Sequence, residues 1–137
     1  MNEEAHPPQT FQVEEVSTEH DELLVLSLGF VSAHDPLDVL HFACGRQRSG
    51  VEPPPVEDEL YVERTDQSLA CDGRDVLSLT GRVDHIELVL SEAGMRLLGL
   101  ERCTHFRFDA HPELLAAARQ QLAAMAQAGQ RNVSVQA

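Results

Sequence analysis

The sequence predicts an α+β domain: a mostly antiparallel sheet with a short helix and a C-terminal amphipathic helix packed on one face. Three observations predict it. Runs of strand length, apolar or alternating, recur along most of the chain with turn residues between them. Only two stretches carry helix punctuation, Ser91 to Gly99 and Pro112 to Gly129. Apolar residues make up 42 % of the 137, enough for one core in a chain of one domain's length.

Residues 1–9 (MNEEAHPPQ) are polar with paired prolines and are expected to fray. Phe11–Val16 (FQVEEV) begins with the alternation of a half-buried strand, and Ser17–Glu22 is a polar connection. Leu23–Phe30 (LLVLSLGF) is a nearly continuous apolar run, so the pair reads as a hairpin whose second strand is buried on both faces. His34-Asp35-Pro36 signals a turn, and Asp38–Cys44 (DVLHFAC) a third strand. Gly45–Val56, with two glycines and three consecutive prolines, is a loop. Glu59–Thr65 (ELYVERT) sets Leu60 and Val62 on one face, Tyr61 and Glu63 on the other. Gln67–Cys71 continues it to the turn Asp72-Gly73, and Val76–Leu79 and Asp84–Leu90 are further strands.

Ser91 is an N-cap for a helix over Glu92–Leu98 that Gly99 ends, although Gly94 inside it costs about 1 kcal/mol relative to Ala. Thr104–Asp109 is the last strand expected, with Phe106 and Phe108 on one face. In the closing helix Leu114, Leu115, Ala118, Leu122 and Met125 fall on one stripe, suited to packing on a sheet. The tail 130–137 is expected to fray. One domain spans 1–137.

Charge and cysteines narrow the function classes. All ten basic residues are Arg, against 23 acids, for a net charge of −13. The first 45 residues hold nine of the acids and no Lys or Arg. Such a surface repels phosphate backbones and anionic lipid, so neither nucleic acid nor a membrane is an expected partner. It attracts a basic protein and would speed the encounter. The first twenty residues contain no apolar run of a signal peptide, and no stretch approaches the roughly 20 apolar residues of a membrane span. Cys44, Cys71 and Cys103 are widely spaced, which fits reduced thiols in the cytoplasm better than a disulfide framework.

Patterns for chemistry fail on spacing. The seven histidines form no HxH, HxxxH or HExxH, so a metal site would have to be assembled by the fold alone. His85 and Glu87 share a strand face. There is no GxSxG, and Cys71 has no local base to lower its pKa. Asp66, Ser68 and Cys71 could be read as a site, but Asp and Ser at strand ends more often cap turns. Arg46, Arg48 and Arg64 could hold an anion or offset local acids. Glu57-Asp58-Glu59 lacks the glycine and alternation of a calcium loop. No catalytic residue, metal or cofactor is expected.

Residues 61–73 (YVERTDQSLACDG), followed by RVDHIELVLS (82–91), EAGMRLLGL (92–100) and FRFD (106–109), resemble the immunity protein ten family of bacterial polymorphic toxin systems. LLVLSLGF (23–30) and DPLDVLHFACGRQ (35–47) fit that family's opening strands, so the likeness runs over about 10–126. Two departures are the short turn Asp72-Gly73-Arg74-Asp75 and a loop carrying three prolines and the Arg46/Arg48 pair. The resemblance implies a protein that binds and blocks a cognate toxin and has no catalytic residues. It makes Tyr61, Asp66, Gln67 and Ser68 the candidate partner-binding residues, unless their motif is purely structural. The alternatives are an adaptor domain binding some other protein, or a small-ligand protein with a pocket near Cys71, His85 or His105. An exposed edge strand could also pair two copies into a homodimer.

Overall fold

A computed structural model of the chain describes residues 8–33, 37–46, 59–65 and 69–136. Its elements are β1 (Gln9–His20), β2 (Leu23–Phe30), β3 (Asp38–Gly45), β4 (Tyr61–Arg64), β5 (Ala70–Asp72) and β6 (Val76–Gly81). These are followed by β7 (His85–Leu90), α1 (Glu92–Leu98), β8 (Cys103–Arg107), α2 (Glu113–Gln127) and β9 (Val133–Val135). The strands form one sheet in the order β5-β4-β3-β2-β1-β8-β7-β6-β9. The α+β class therefore stands, but the sheet is mixed: β1 runs parallel to β8, and β9 parallel to β6.

Strand β1 joins the two halves. Gln9–Gln12 pairs with β8; from Val13 on the strand pairs antiparallel with β2, and the register shifts between Val13 and Glu15. The sequence shows why. Phe11, Val13 and Val16 all pack on the core, so alternation slips by one at the paired acids Glu14 and Glu15. A bulge of this kind inserts one residue and bends the strand. Ser17–His20, expected as a connection, extends β1, because its backbone continues the ladder with Leu24–Ser27. Leu23, by contrast, is exposed and Val25 and Ser27 are half-buried, so β2 is buried fully on one face only.

The Phe11, Phe30 and Phe106 rings meet at this junction, with centroids 4.5, 5.3 and 6.0 Å apart. They come from β1, β2 and β8, so one aromatic cluster ties both halves to the core. Helix α2 crosses the inner face and contacts β1, β2, β6 and β9. Its Ala118, Leu122 and Met125 are buried, as the stripe predicts, and Leu114 and Leu115 pack at the margin. Gln121 is buried beside that stripe, where its Nε2 donates to Glu19 O at 2.6 Å and Val25 O at 2.9 Å. The tail expected to fray instead adds β9. Asn132 O accepts from Leu79 N at 2.8 Å, and Val133 is buried beside Leu79.

The short helix forms as its sequence directs. Ser91 Oγ accepts from Gly94 N at 3.1 Å, and Gly99 ends the helix at φ +66°. Gly94 is there for space: a Cβ would lie 2.7 Å from Asp75 O. The loop expected over Gly45–Val56 lies mostly outside the described residues.

Candidate functional site

Tyr61, Asp66, Gln67 and Ser68 divide at once. The last three lie outside the described residues, while Tyr61 stands on the outer face of β4, 45 % exposed. The neighbouring Arg64, read as one of three anion-binding arginines, points inward and is 6 % exposed. Its Nη2 donates to Asp38 Oδ2 at 2.7 Å and its Nε to the same oxygen at 3.1 Å. Its Nη1 donates to Leu98 O at 2.6 Å and Gly99 O at 3.1 Å, closing the C-terminus of α1. Burial pushes the Asp38 carboxyl up, but hydrogen bonds from Arg64, Ser32 and Thr65 and the Arg64 charge hold it below the usual carboxylate range. In Tyr-Val-Glu-Arg-Thr, then, Arg64 is an anchor between β3, β4 and α1. Of its former companions, Arg46 donates to Asp21 O at 3.1 Å, and Arg48 lies outside the described residues.

Rows of side chains set by strand pairing cross the outer face on both halves of the sheet. On the β1–β5 half, pairing puts Glu19, Val25, Ala43, Tyr61 and Asp72 abreast, one from each strand. Beside it run Ser17, Ser27, His41, Glu63 and Ala70, with Ser27 Oγ and His41 Nδ1 2.7 Å apart. Of the acids in the first 45 residues, Glu14, Glu15, Glu19, Asp21 and Glu22 are all exposed along β1 and the turn after it. Asp38 alone of those described is turned inward and neutralised. This half is an acidic margin around small apolar residues and one tyrosine.

On the other half Thr10, His105, Glu87, Thr80 and Ser134 stand abreast across β1, β8, β7, β6 and β9. Glu87 faces His105 directly and Cys103 diagonally, and all three are half-buried. Glu87 Oε1 accepts from Arg82 Nη2 at 2.7 Å; Glu87 Oε2 lies 3.4 Å from His105 Nε2 and 3.7 Å from Cys103 Sγ. The Arg82 hydrogen bond, larger than the opposing cost of burial, holds the Glu87 carboxyl below its ordinary value. Burial, and then the Glu87 charge, pushes the Cys103 thiol up. The His85 ring lies 4.2 Å from that of His105, and its Nδ1 is 2.7 Å from Asp84 Oδ1. Arg107 stands in the neighbouring row, between Gln12 and His85, and its Nε donates to Asp109 Oδ2 at 3.1 Å.

Residue spacing hid this cluster because strand pairing brings Glu87 to Cys103 and His105 from sixteen and eighteen positions away. The sequence shows only that Cys103 and His105, two positions apart, share one strand face and that His85 and Glu87 share another. Cys71, the other thiol considered, is buried, and desolvation with the nearby Asp75 and Asp72 charges pushes it up to about 12. Two clefts, of about 340 and 440 Å³, open elsewhere. The first lies between Leu60, Gly73 and Asn132, the second between Thr18, His20 and Gln120. Neither of these two takes in Cys71, His85 or His105.

Among the described residues no helix is long and apolar enough to cross a membrane. No family model, no curated protein and no solved structure matches the chain.

Proposed function

We propose that this chain is an immunity protein that acts in the cytoplasm by binding and neutralising a cognate bacterial toxin, without catalysis of its own. The observation that carries this reading is the outer row Glu19–Val25–Ala43–Tyr61–Asp72 beside the exposed acids of β1. A protein-binding face needs an apolar centre with an aromatic anchor and a polar rim. Tyr61 supplies the anchor, Val25 and Ala43 the flat centre, and Glu15, Glu19, Asp21 and Glu22 the field. Toxins that cut nucleic acid carry basic surfaces, and a face of this sign raises their rate of encounter.

The test is co-expression with the product of the neighbouring gene, scored for relief of lethality and for a complex that survives purification. Survival without a complex, or no survival, overturns the reading. With the complex in hand, Glu15→Lys/Glu19→Lys is expected to slow association at low salt, and Tyr61→Ala to speed dissociation. A hot-spot tyrosine contributes about 2 kcal/mol or more to such an interface. An association rate that does not change with salt would remove the electrostatic part of the argument.

A further inference from the structure

We propose that Glu87, Cys103 and His105 form a zinc-binding site on the outer face of β7 and β8, with solvent in the fourth position. One oxygen, one sulfur and one nitrogen from these residues all lie within 4.8 Å of one another. Their separations can be compared with what an ion would impose. Zinc bonds of about 2.3 Å to sulfur, 2.0 Å to imidazole and 2.1 Å to carboxylate, at tetrahedral angles, set S and O about 3.6 Å apart and N and O about 3.4 Å apart. The Sγ–Oε2 and Nε2–Oε2 distances are 3.7 and 3.4 Å. The two edges that meet at Oε2 are therefore those of a zinc tetrahedron before any ion is added, and the three ligand atoms lie within 4.8 Å of one another.

The surroundings favour the same use. Arg82 holds Oε1, at 2.7 Å, which fixes the carboxylate plane and leaves Oε2 for the other two donors. A guanidinium next to a cation is unfavourable, but the carboxylate and a thiolate together carry two negative charges against its one. Glu87 and His105 side chains are 19 % and 22 % exposed, so an ion can reach them from solvent. The three come from adjacent strands held in antiparallel register, a rigid base for ligands. Sulfur and imidazole donors select zinc or cobalt over calcium and magnesium, which take oxygen ligands. An ion there would also tie Glu87 of β7 to Cys103 and His105 of β8 across the ladder. The site is independent of the toxin-binding reading, which rests on the other half of the sheet.

The experiment is titration of the reduced, tag-free full chain with Co²⁺ and then Zn²⁺. Expected are one equivalent of cobalt, the visible bands of a tetrahedral site, a thiolate-to-cobalt charge-transfer band, and displacement by zinc. Cys103→Ser should abolish the charge-transfer band, whereas Cys44→Ser and Cys71→Ser should keep it. His105→Ala should weaken zinc binding at least about tenfold, the least that loss of even an outer hydrogen-bond partner costs a metal site. A readout needing no variant is alkylation of the native chain mapped by mass spectrometry, where zinc should slow modification of Cys103. No charge-transfer band in the full chain, a band that persists in Cys103→Ser, or alkylation of Cys103 indifferent to zinc each overturns the proposal.

Discussion

In the variant Arg64→Met the Asp38 carboxylate stays where β3 puts it, 3 % exposed, but without its guanidinium. What it keeps is the Thr65 hydroxyl at 3.3 Å and its bond to Ser32. The carbonyls of Leu98 and Gly99 lose the donor that closes α1. Removing one partner of a buried ion pair costs about 3–5 kcal/mol, because the other charge is left desolvated. Against a domain stability of about 5–15 kcal/mol this is about a fifth or more. In a chain of this size it corresponds to a fall in Tm of roughly 10–20 °C. The assay is thermal and urea unfolding of Arg64→Met, Asp38→Leu and the double variant. Both single variants should lose several kcal/mol and the double variant clearly less than their sum, since it leaves no orphaned charge.

The pH dependence carries the same argument with a definite sign. The folded Asp38 carboxyl titrates below its unfolded value, so its contribution is fully present above about pH 4 and is lost as pH falls through the folded value. Without Arg64 only the hydroxyl bonds oppose burial, so the folded carboxyl should titrate higher. The acid limb of the stability curve then moves to higher pH in Arg64→Met. A Tm within about 3 °C of the parent, which is under 1 kcal/mol at this size, would refute the anchor. So would strict additivity in the double variant.

Gly94→Ala gains about 1 kcal/mol of helix propensity, yet it should destabilise the fold by a net kcal/mol or so, because overpacking costs about 1–3 kcal/mol. The cause is the 2.7 Å approach of the new Cβ to Asp75 O, and urea unfolding decides the sign. Cys71, with its thiol pushed up to about 12, should resist alkylation at pH 8 in the native protein and react freely in denaturant. Gln121→Ala removes both amide bonds to Glu19 O and Val25 O. It should cost about 1–3 kcal/mol in urea unfolding, the penalty of leaving buried backbone acceptors without a donor.

Local patterns were legible where local physics decides. Leu23–Phe30 and Glu92–Leu98 came out with the boundaries expected, because an apolar run and a Ser91/Gly99 pair of caps determine them within a few residues. The bulge in β1 was written in the doubled acids, but it reads as a bulge only once Val16 is known to face inward. Parallel pairing left no local signature. β9 is three residues long and exists because Leu79 and Gly81 of β6 offer an open edge to Val133 and Val135. Arg64 was legible as a charge and not as a buried one, since Asp38 lies twenty-six positions away. Cys103 and His105 share a face by the alternation of β8, but Glu87 joins them only across the strand pair, beyond the reach of any spacing rule.

The division of the outer face follows from β1 rather than from either half. Before the bulge, Thr10 and Gln12 extend the rows of β8; after it, Glu15, Ser17 and Glu19 extend those of β2. One strand thus carries two different surfaces, and the one-residue slip at Glu14–Glu15 separates them. The acids after the slip border Val25, Ala43 and Tyr61, where the proposed basic partner would gain both field and contact. The polar residues before it border the His105–Glu87 pair, where acid, thiol and imidazole gather around a point small enough for an ion. Arg64 and the Phe11–Phe30–Phe106 cluster hold the inner side of these surfaces, so neither outer row has to stabilise the fold. Side chains relieved of that duty are free to serve binding, and the two proposals place that role on Tyr61 with the β1 acids on one half and on Glu87, Cys103 and His105 on the other.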